Sequence, residues 1–242
     1  MSRIAIIAAL DRELHPLVKN WKPSSFSHGG RDYRAYERDN VIAFAGGIGK
    51  ASAMLAAKAV IANYHPETLL SVGLAGALLH SLKVGNVITP NVIVDAASGS
   101  EYRCDSGGGV LVSATEIAGP HSKPELVEQF HALAVDMEAA GVAEVAHQEQ
   151  VGFRCVKAIS DEADFTLPPL IRFVDAQGKF QAARFIAWAS VRPAVWPLTI
   201  ALARNSKRAA RALCDWLAGS IQQSAFSTQP VARNQSEECR VR

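Results

Sequence analysis

Ala132–Asp164 reads ALAVDMEAAGVAEVAHQEQVGFRCVKAISDEAD. Ala132–Asp136 is a short apolar run suited to a strand, Met137–His147 continues as a helix, and Phe153–Ser160 is a second strand-like run. Strand, helix and strand at this spacing form the repeating unit of a largely parallel sheet. An acid follows each strand: Glu138 after the first and Asp161 after the second. Ligands of open α/β sheets bind outside the carboxyl ends of the strands. The stretch therefore marks a candidate site as well as a fold.

The pattern repeats upstream. Arg3–Ala9 is a continuous Ile and Ala run, as expected of a strand covered on both faces, and Glu13 follows it within Ile4–Leu14 (IAIIAALDREL). A helix comes next, its start left open by Pro16, which lacks a backbone donor. Tyr33–Glu37 and Val41–Ala45 form a hairpin around Arg38-Asp39-Asn40. Gly46–Lys50 turns into a helix over Ala51–Tyr64, stopped by His65-Pro66. Thr68–Val72 is the next strand, followed by a small-residue turn, Gly73–Ala77, and by extended runs at Val87–Val94 and Val110–Ser113.

The alternation predicts one three-layer αβα domain over residues 1–223, with a central mixed, largely parallel sheet. Past Phe165 the pattern changes. Leu167-Pro168-Pro169 breaks regularity, Asp175–Gly178 is a turn, and two aromatic-rich helical pieces precede an amphipathic helix near Ser206–Ile221. From Ser224 the chain is rich in Ser, Gln, Asn and Arg, so residues 224–242 are expected to be disordered.

Composition narrows the function. A chain of 242 residues with 49% hydrophobic content can bury one sizeable core, and a formal charge of +2 leaves no basic stripe for nucleic acid. Cys104, Cys155, Cys214 and Cys239 form no CxxC pair, as expected of reduced thiols in a cytoplasmic protein. No signal peptide is expected, because Ile4–Leu10 is short and Asp11 and Glu13 follow it. The apolar Phe185–Ala203 is interrupted by Arg192, Pro193 and Pro197, which argues against a membrane span.

Gly46-Gly47-Ile48-Gly49-Lys50 suggests a phosphate loop but fails the spacing, and Ala51 stands where a magnesium-binding Ser or Thr is required. It reads instead as a turn for close strand–helix packing, with N–H groups at the helix start free to face an anion or hydroxyl. The seven histidines make no HxxH or HxxxH pair and there is no GxSxG elbow, so neither a metal nor a nucleophilic serine is expected. Taken singly, Glu13, Glu138 and Asp161 are ordinary helix-start acids. At three strand ends of one sheet they suggest acid/base work on a polar, uncharged substrate.

The phrases AALDRE, VDMEAAGVAEVA and VKAISDEAD, with the turns at Gly46–Lys50 and Gly73–Ala77, resemble the nucleoside phosphorylase/nucleosidase superfamily. The pattern is most similar to the methylthioadenosine/S-adenosylhomocysteine nucleosidases. The resemblance implies that Asp161 delivers a proton to N7 of a purine, Glu13 activates the attacking water, and Glu138 grips the ribose above Met137. It also places Ile48, Gly73, Leu74, Ile117, Ala118 and Ser160 at the substrate. It implies a purine nucleoside as small-molecule partner, no cofactor or metal, and a homo-oligomer, a dimer first. Cleaving an N-glycosidic bond passes through an oxocarbenium-like state, which agrees with an acid at the base and a carboxylate at the sugar. The acid at the base needs a raised pKa, which burial at a strand end would supply.

Departures bear on the nucleophile. Leu74 replaces a serine common among relatives, and Ser71 replaces an arginine that binds phosphate in one phosphorylase branch. Both disfavour phosphorolysis, which is the runner-up with phosphate as co-substrate; Lys50, Lys123 and Arg12 are its cationic alternatives. The base-stacking aromatic is missing at Ile117 and Ala118, and the middle segment Ala96–Gly109 is short. Residues 165–203 form an insertion. Phe173, Phe180, Phe185, Trp188 and Trp196 there are expected to cover the core. The sharper alternative is an apolar lid for a greasy 5′ substituent, as the resemblance to adenosyl-lipid phosphorylases of hopanoid biosynthesis would imply. A non-catalytic nucleoside binder is the competing class, and an interaction module built on the aromatics ranks last.

Overall fold

Five consecutive buried residues, Ile4–Ala8, form β1, and Asp11–Val18 follow as α1. Pro16 lies inside α1, where it removes one backbone bond without ending so short a helix. Lys22–His28 (β2), Arg31–Arg38 (β3) and Val41–Ala45 (β4) form an antiparallel ribbon, with the expected hairpin between β3 and β4. The polar β2 carries no strand signal; its pairing to β3 and the packing of Phe26 define it. Lys50–Tyr64 is α2 and Thr68–Ala77 is β5. Val87–Ile88 (β6), Val92–Asp95 (β7), Glu101–Arg103 (β8) and Val110–Ser113 (β9) are short. Ser122–Phe130 (α3), Ala132–Asp136 (β10), Ala139–Gln148 (α4) and Gly152–Asp161 (β11) complete the core, and Ala182–Ser190 (α5) and Trp196–Gln222 (α6) close the chain. This computed structural model describes residues 3–104, 107–167, 170–175 and 178–222; the expected disordered tail and Cys239 lie outside the described residues, as does part of the Asp175–Gly178 turn.

Several elements differ from the sequence expectation. Gly73–Ala77 is not a turn but the second half of β5, held in register by β11 from Lys157↔Gly73 to Asp161↔Gly76. Val87–Val94 divides into two strands around Thr89-Pro90-Asn91. Helix α4 begins at Ala139 rather than Met137, and β8 and α3 had no periodic signal. The last helix starts at Trp196, not near Ser206, because Pro197 falls in its first turn, where a missing N–H costs nothing.

The sheet runs β2-β3-β4-β1-β5-β10-β9-β7-β8, with β11 along β5 and β6 beside β11. Strands β4, β1, β5 and β11 are mutually parallel, as are β10, β9 and β7. These two parallel groups meet where Gly76 and Ala77 pair antiparallel with Val135 and Ala134. That junction brings the ends of β5, β10 and β11 together.

Both faces are covered, as the apolar run of β1 requires. Ala5 and Ile7 pack with Ala56, Val60, Val142 and Val145 of α2 and α4. Ile4 and Ile6 pack on the opposite face with Leu14, Val18, Leu213 and Leu217 of α1 and α6. Glycine permits the close approach of α2: a Cβ on Gly46 would sit 2.6 Å from Ala56 Cβ, and one on Gly141 would sit 2.5 Å from the Lys50 carbonyl. No single helix among the described residues is long and apolar enough to cross a membrane.

Candidate active site

Glu13 is carried by the first turn of α1, immediately beyond β1, and is 4% exposed. Its Oε2 accepts hydrogen bonds from the Ala9 and Leu10 N–H groups at 3.2 and 3.3 Å, satisfying donors that the helix start leaves open. Gly73, at φ 147°, lies behind it; a Cβ there would stand 3.1 Å from Glu13 Oε2. Burial pushes the Glu13 carboxyl above its ordinary value, against the pull of Lys157 and the two amides.

Glu138 precedes α4 and reaches back to α2. Its Oε1 accepts the Gly49 N–H at 2.8 Å, so the anion at the glycine-turn helix start is the protein's own carboxylate. Burial, with Asp136 as a like charge, raises Glu138 to about 7. Asp136 anchors the same helix: Oδ2 accepts the Ala139 N–H at 2.9 Å, and Oδ1 accepts the Ser113 hydroxyl at 2.5 Å. Asp136 was not singled out by sequence, where it reads as an ordinary strand-end residue.

The unforeseen centre of this cluster is Lys157. It is 1% exposed, and its Nζ lies 2.8 Å from Asp136 Oδ2 and 3.2 Å from Ser71 Oγ. Burial opposes its charge, but Asp136, Cys155 and Glu138 outweigh burial and hold Lys157 above the ordinary lysine range. One signal was available in the sequence: a lone charge inside FRCVKAIS has to find a buried partner.

Asp161 ends β11. Its Oδ1 accepts the Ser160 hydroxyl at 2.8 Å and its Oδ2 the Lys123 ammonium at 2.7 Å. Lys123, on α3 and 2% exposed, also donates to the Glu162 carbonyl at 2.9 Å. The burial expected at this strand end is present, Asp161 being 3% exposed, and it comes with a partner the sequence reading did not name for it, the buried Lys123. A Cβ on Gly76 would come within 2.8 Å of Asp161 Oδ2, so only glycine leaves room for the carboxylate.

These acids face one cavity of about 440 Å³, a size suited to a small ligand. Glu13, Ile48, Leu74, Ile117, Ala118, Met137, Glu138, Ser160 and Asp161 all line it. Gly73 stands one layer back, against Glu13. Beyond β11, Leu167, Leu170, Val174, Phe180, Phe185 and Ile186 make an apolar wall. The same aromatics also pack together: Phe173 lies 5.3 Å from Phe185 and 5.6 Å from Trp188, ring centre to ring centre. The segment is therefore both cover and cavity wall, while Trp196, expected in the cover, is 47% exposed.

The three cationic alternatives separate. Lys50 is held by Asp95 and Glu144, each at 2.7 Å, and is not part of the cavity lining. Lys123 is committed to Asp161. Arg12 alone is a cation among the described lining residues, its guanidinium 5.7 Å from the Phe180 ring centre. Cys104, Cys155 and Cys214 are buried thiols; burial raises Cys155 and lifts Cys214 to about 11.

Fold and site together define a three-layer α/β protein with an acid-lined cavity at the carboxyl edge of its sheet. The family model described as the phosphorylase superfamily matches residues 3–119 and 107–187. The chain belongs to that superfamily. It is 29% identical over 200 residues to the 5′-methylthioadenosine/S-adenosylhomocysteine nucleosidase of Bacillus subtilis (strain 168), covering 66% of this chain and 86% of that protein. The Staphylococcus carnosus protein of the same name is 27% identical over 199 residues, covering 66% and 87%. Among solved structures, a Helicobacter pylori 5′-methylthioadenosine/S-adenosylhomocysteine nucleosidase complexed with a substituted pyrrolidin-3-ol superposes with a TM-score of 0.70 at 18% identity, covering 92% and 98% of the two chains. Futalosine hydrolase of Helicobacter pylori strain 26695 superposes equally, with a TM-score of 0.70, 18% identity and the same coverage.

Proposed function

We propose that the cavity hydrolyses the N-glycosidic bond of a 5′-modified adenosine and releases adenine. The convergence of Glu13, Glu138 and Asp161 from three strand ends on one cavity carries this reading. The similarity to 5′-methylthioadenosine/S-adenosylhomocysteine nucleosidases supports it. Glu13 takes a proton from the attacking water as oxygen bonds to the anomeric carbon. Glu138 accepts the ribose hydroxyls above Met137, and its charge offsets the positive charge that builds on the sugar. As the C–N bond breaks, its electron pair goes to the base, and a proton passes from the Lys123–Asp161 pair to N7, so adenine leaves neutral. Ile117, Ala118 and Ser160 flank the base. The apolar wall from Leu167 to Ile186 takes the 5′ substituent, and its greasy character suits a non-polar one. The ribosyl group passes to water with no net oxidation or reduction, so no cofactor enters the scheme. In the same reading the protein is a cytoplasmic homodimer.

Water is favoured over phosphate because Arg12 is the one Lys or Arg among the described cavity-lining residues, while Lys123 and Lys157 are taken up by Asp161 and Asp136. A phosphate dianion would find little counter-charge there. The test is product analysis from methylthioadenosine with and without phosphate. Free ribosyl product and adenine at equal rates in both arms are expected; strict phosphate dependence with a sugar 1-phosphate product would reverse the choice. Asp161→Asn is expected to lower turnover about 100-fold or more in the same assay.

Gly76→Ala tests the seating of Asp161. The added methyl displaces the carboxylate, so turnover is expected to fall roughly 10- to 100-fold, while the thermal midpoint moves little. Turnover equal to the parent would show that the position of Asp161 is immaterial.

A further inference from the structure

Away from the cavity floor, the corner between α5 and α6 exposes apolar residues in an unusual way. Of six large hydrophobic side chains exposed among the described residues, four lie here: Ile186 (65%), Val191 (72%), Trp196 (47%) and Ile200 (56%). The two helices bend by 118° at this point, so the four project around one corner. Pro193, Ala194 and Pro197 between them are exposed as well. Contiguous exposed patches of this kind mark an interaction surface.

Charge identifies the partner. From Gln181 to Cys214 the chain has no Asp or Glu but six cations: Arg184, Arg192, Arg204, Lys207, Arg208 and Arg211. At 3.6 residues per turn, Trp196, Ile200, Arg204, Lys207, Arg208 and Arg211 fall within about one third of the circumference of α6. One stripe thus runs from apolar at the corner to cationic further along. Among the described residues none of these cations pairs with a carboxylate. An apolar tip bearing a tryptophan, backed by unpaired arginines, matches the layering of an anionic lipid surface: acyl boundary first, headgroup charge behind it.

We propose that the α5–α6 corner docks peripherally on an anionic membrane, with Ile186, Val191, Trp196 and Ile200 entering the interface and the Arg204–Arg211 stripe facing the headgroups. Phe185, Thr199 and Leu202 of the same two helices line the cavity, so docking sets the cavity's apolar wall beside the lipid. The proposal goes beyond the chemistry above and stands whether or not that chemistry is hydrolysis.

The test is flotation of the full chain with vesicles of phosphatidylcholine alone and of phosphatidylcholine with phosphatidylglycerol, at low and high salt. Two variants accompany it, Val191→Asp/Ile200→Asp and Arg204→Glu/Arg211→Glu, all exposed positions outside the cavity lining. Circular dichroism and turnover of a water-soluble nucleoside should match the parent in both. Binding is expected to the anionic vesicles, weakened by salt, and at least about tenfold weaker in each variant. No flotation of the parent, or equal flotation of all three proteins, overturns the proposal. So does a dimer that Val191→Asp/Ile200→Asp dissociates while vesicles bind none of it, because a second copy would then cover the corner.

Discussion

Glu13→Gln is expected to fold like the parent and to lose about a thousandfold in turnover, within the range that removal of a general base gives. The amide keeps the shape of the carboxylate and still accepts the Ala9 and Leu10 N–H groups that hold it. It cannot take a proton from water. Burial raises Glu13 above its ordinary value of 4.5 and Glu138 to about 7, so the parent's kcat/KM should climb with pH as the two carboxyls ionise. The sign for stability is the reverse. Raised carboxyl pKa values stabilise the fold below about 4.5, and that contribution is lost as pH rises through the folded-state values. Glu13→Gln is neutral throughout and escapes that loss. Its thermal midpoint should therefore match the parent at acid pH and equal or exceed it at pH 8. A variant that retains a tenth of parental turnover would remove Glu13 from the chemistry.

The second large effect is expected at Lys157. Lys157→Met keeps much of the volume but withdraws the charge that contacts Asp136 at 2.8 Å, deep in the sheet where β11 runs along β5. Asp136 is then buried without its cation, and Glu13 and Glu138 lose the neighbour that pulls both downward. Breaking a buried pair by removing one partner costs about 3–5 kcal/mol. For a chain of this size that amounts to roughly 10 °C in the thermal midpoint. The surviving activity should have its acidic limb displaced to higher pH, because both glutamates become harder to ionise. Lys157→Met/Asp136→Asn removes both charges and should recover part of the stability. A midpoint within two degrees or so of the parent would mean that Lys157 is not the counter-ion of this cluster.

Local pattern made much of this legible. The apolar runs at Ile4–Ala8, Val110–Ser113 and Ala132–Asp136 were readable as strands because their period and their turn residues are local properties. Glu13, Glu138 and Asp161 were readable as one site because each falls where a strand ends. Gly73–Ala77 misled because small residues look like a turn. In the molecule they are strand, kept small since Glu13 and Asp161 press against Gly73 and Gly76. The polar β2 and the short β8 were invisible for a related reason: their partners, β3 and β7, define them.

The sequence alone determined a three-layer α/β chain with acids at the carboxyl edges of its strands, since hydrophobic period and strand-to-helix punctuation are written residue by residue. Tertiary structure alone decided which charges those acids meet. Lys123 reaches Asp161 across 38 positions, Lys157 of β11 reaches Asp136 of β10 although the two strands pair with β5 and not with each other, and the Gly49 amide reaches Glu138 across 89 positions. Such pairings are fixed by the antiparallel meeting of β5 with β10 and by loss of water from the space between them. A charge placed there must take whichever partner the fold delivers, and nothing in its immediate sequence says which one that is.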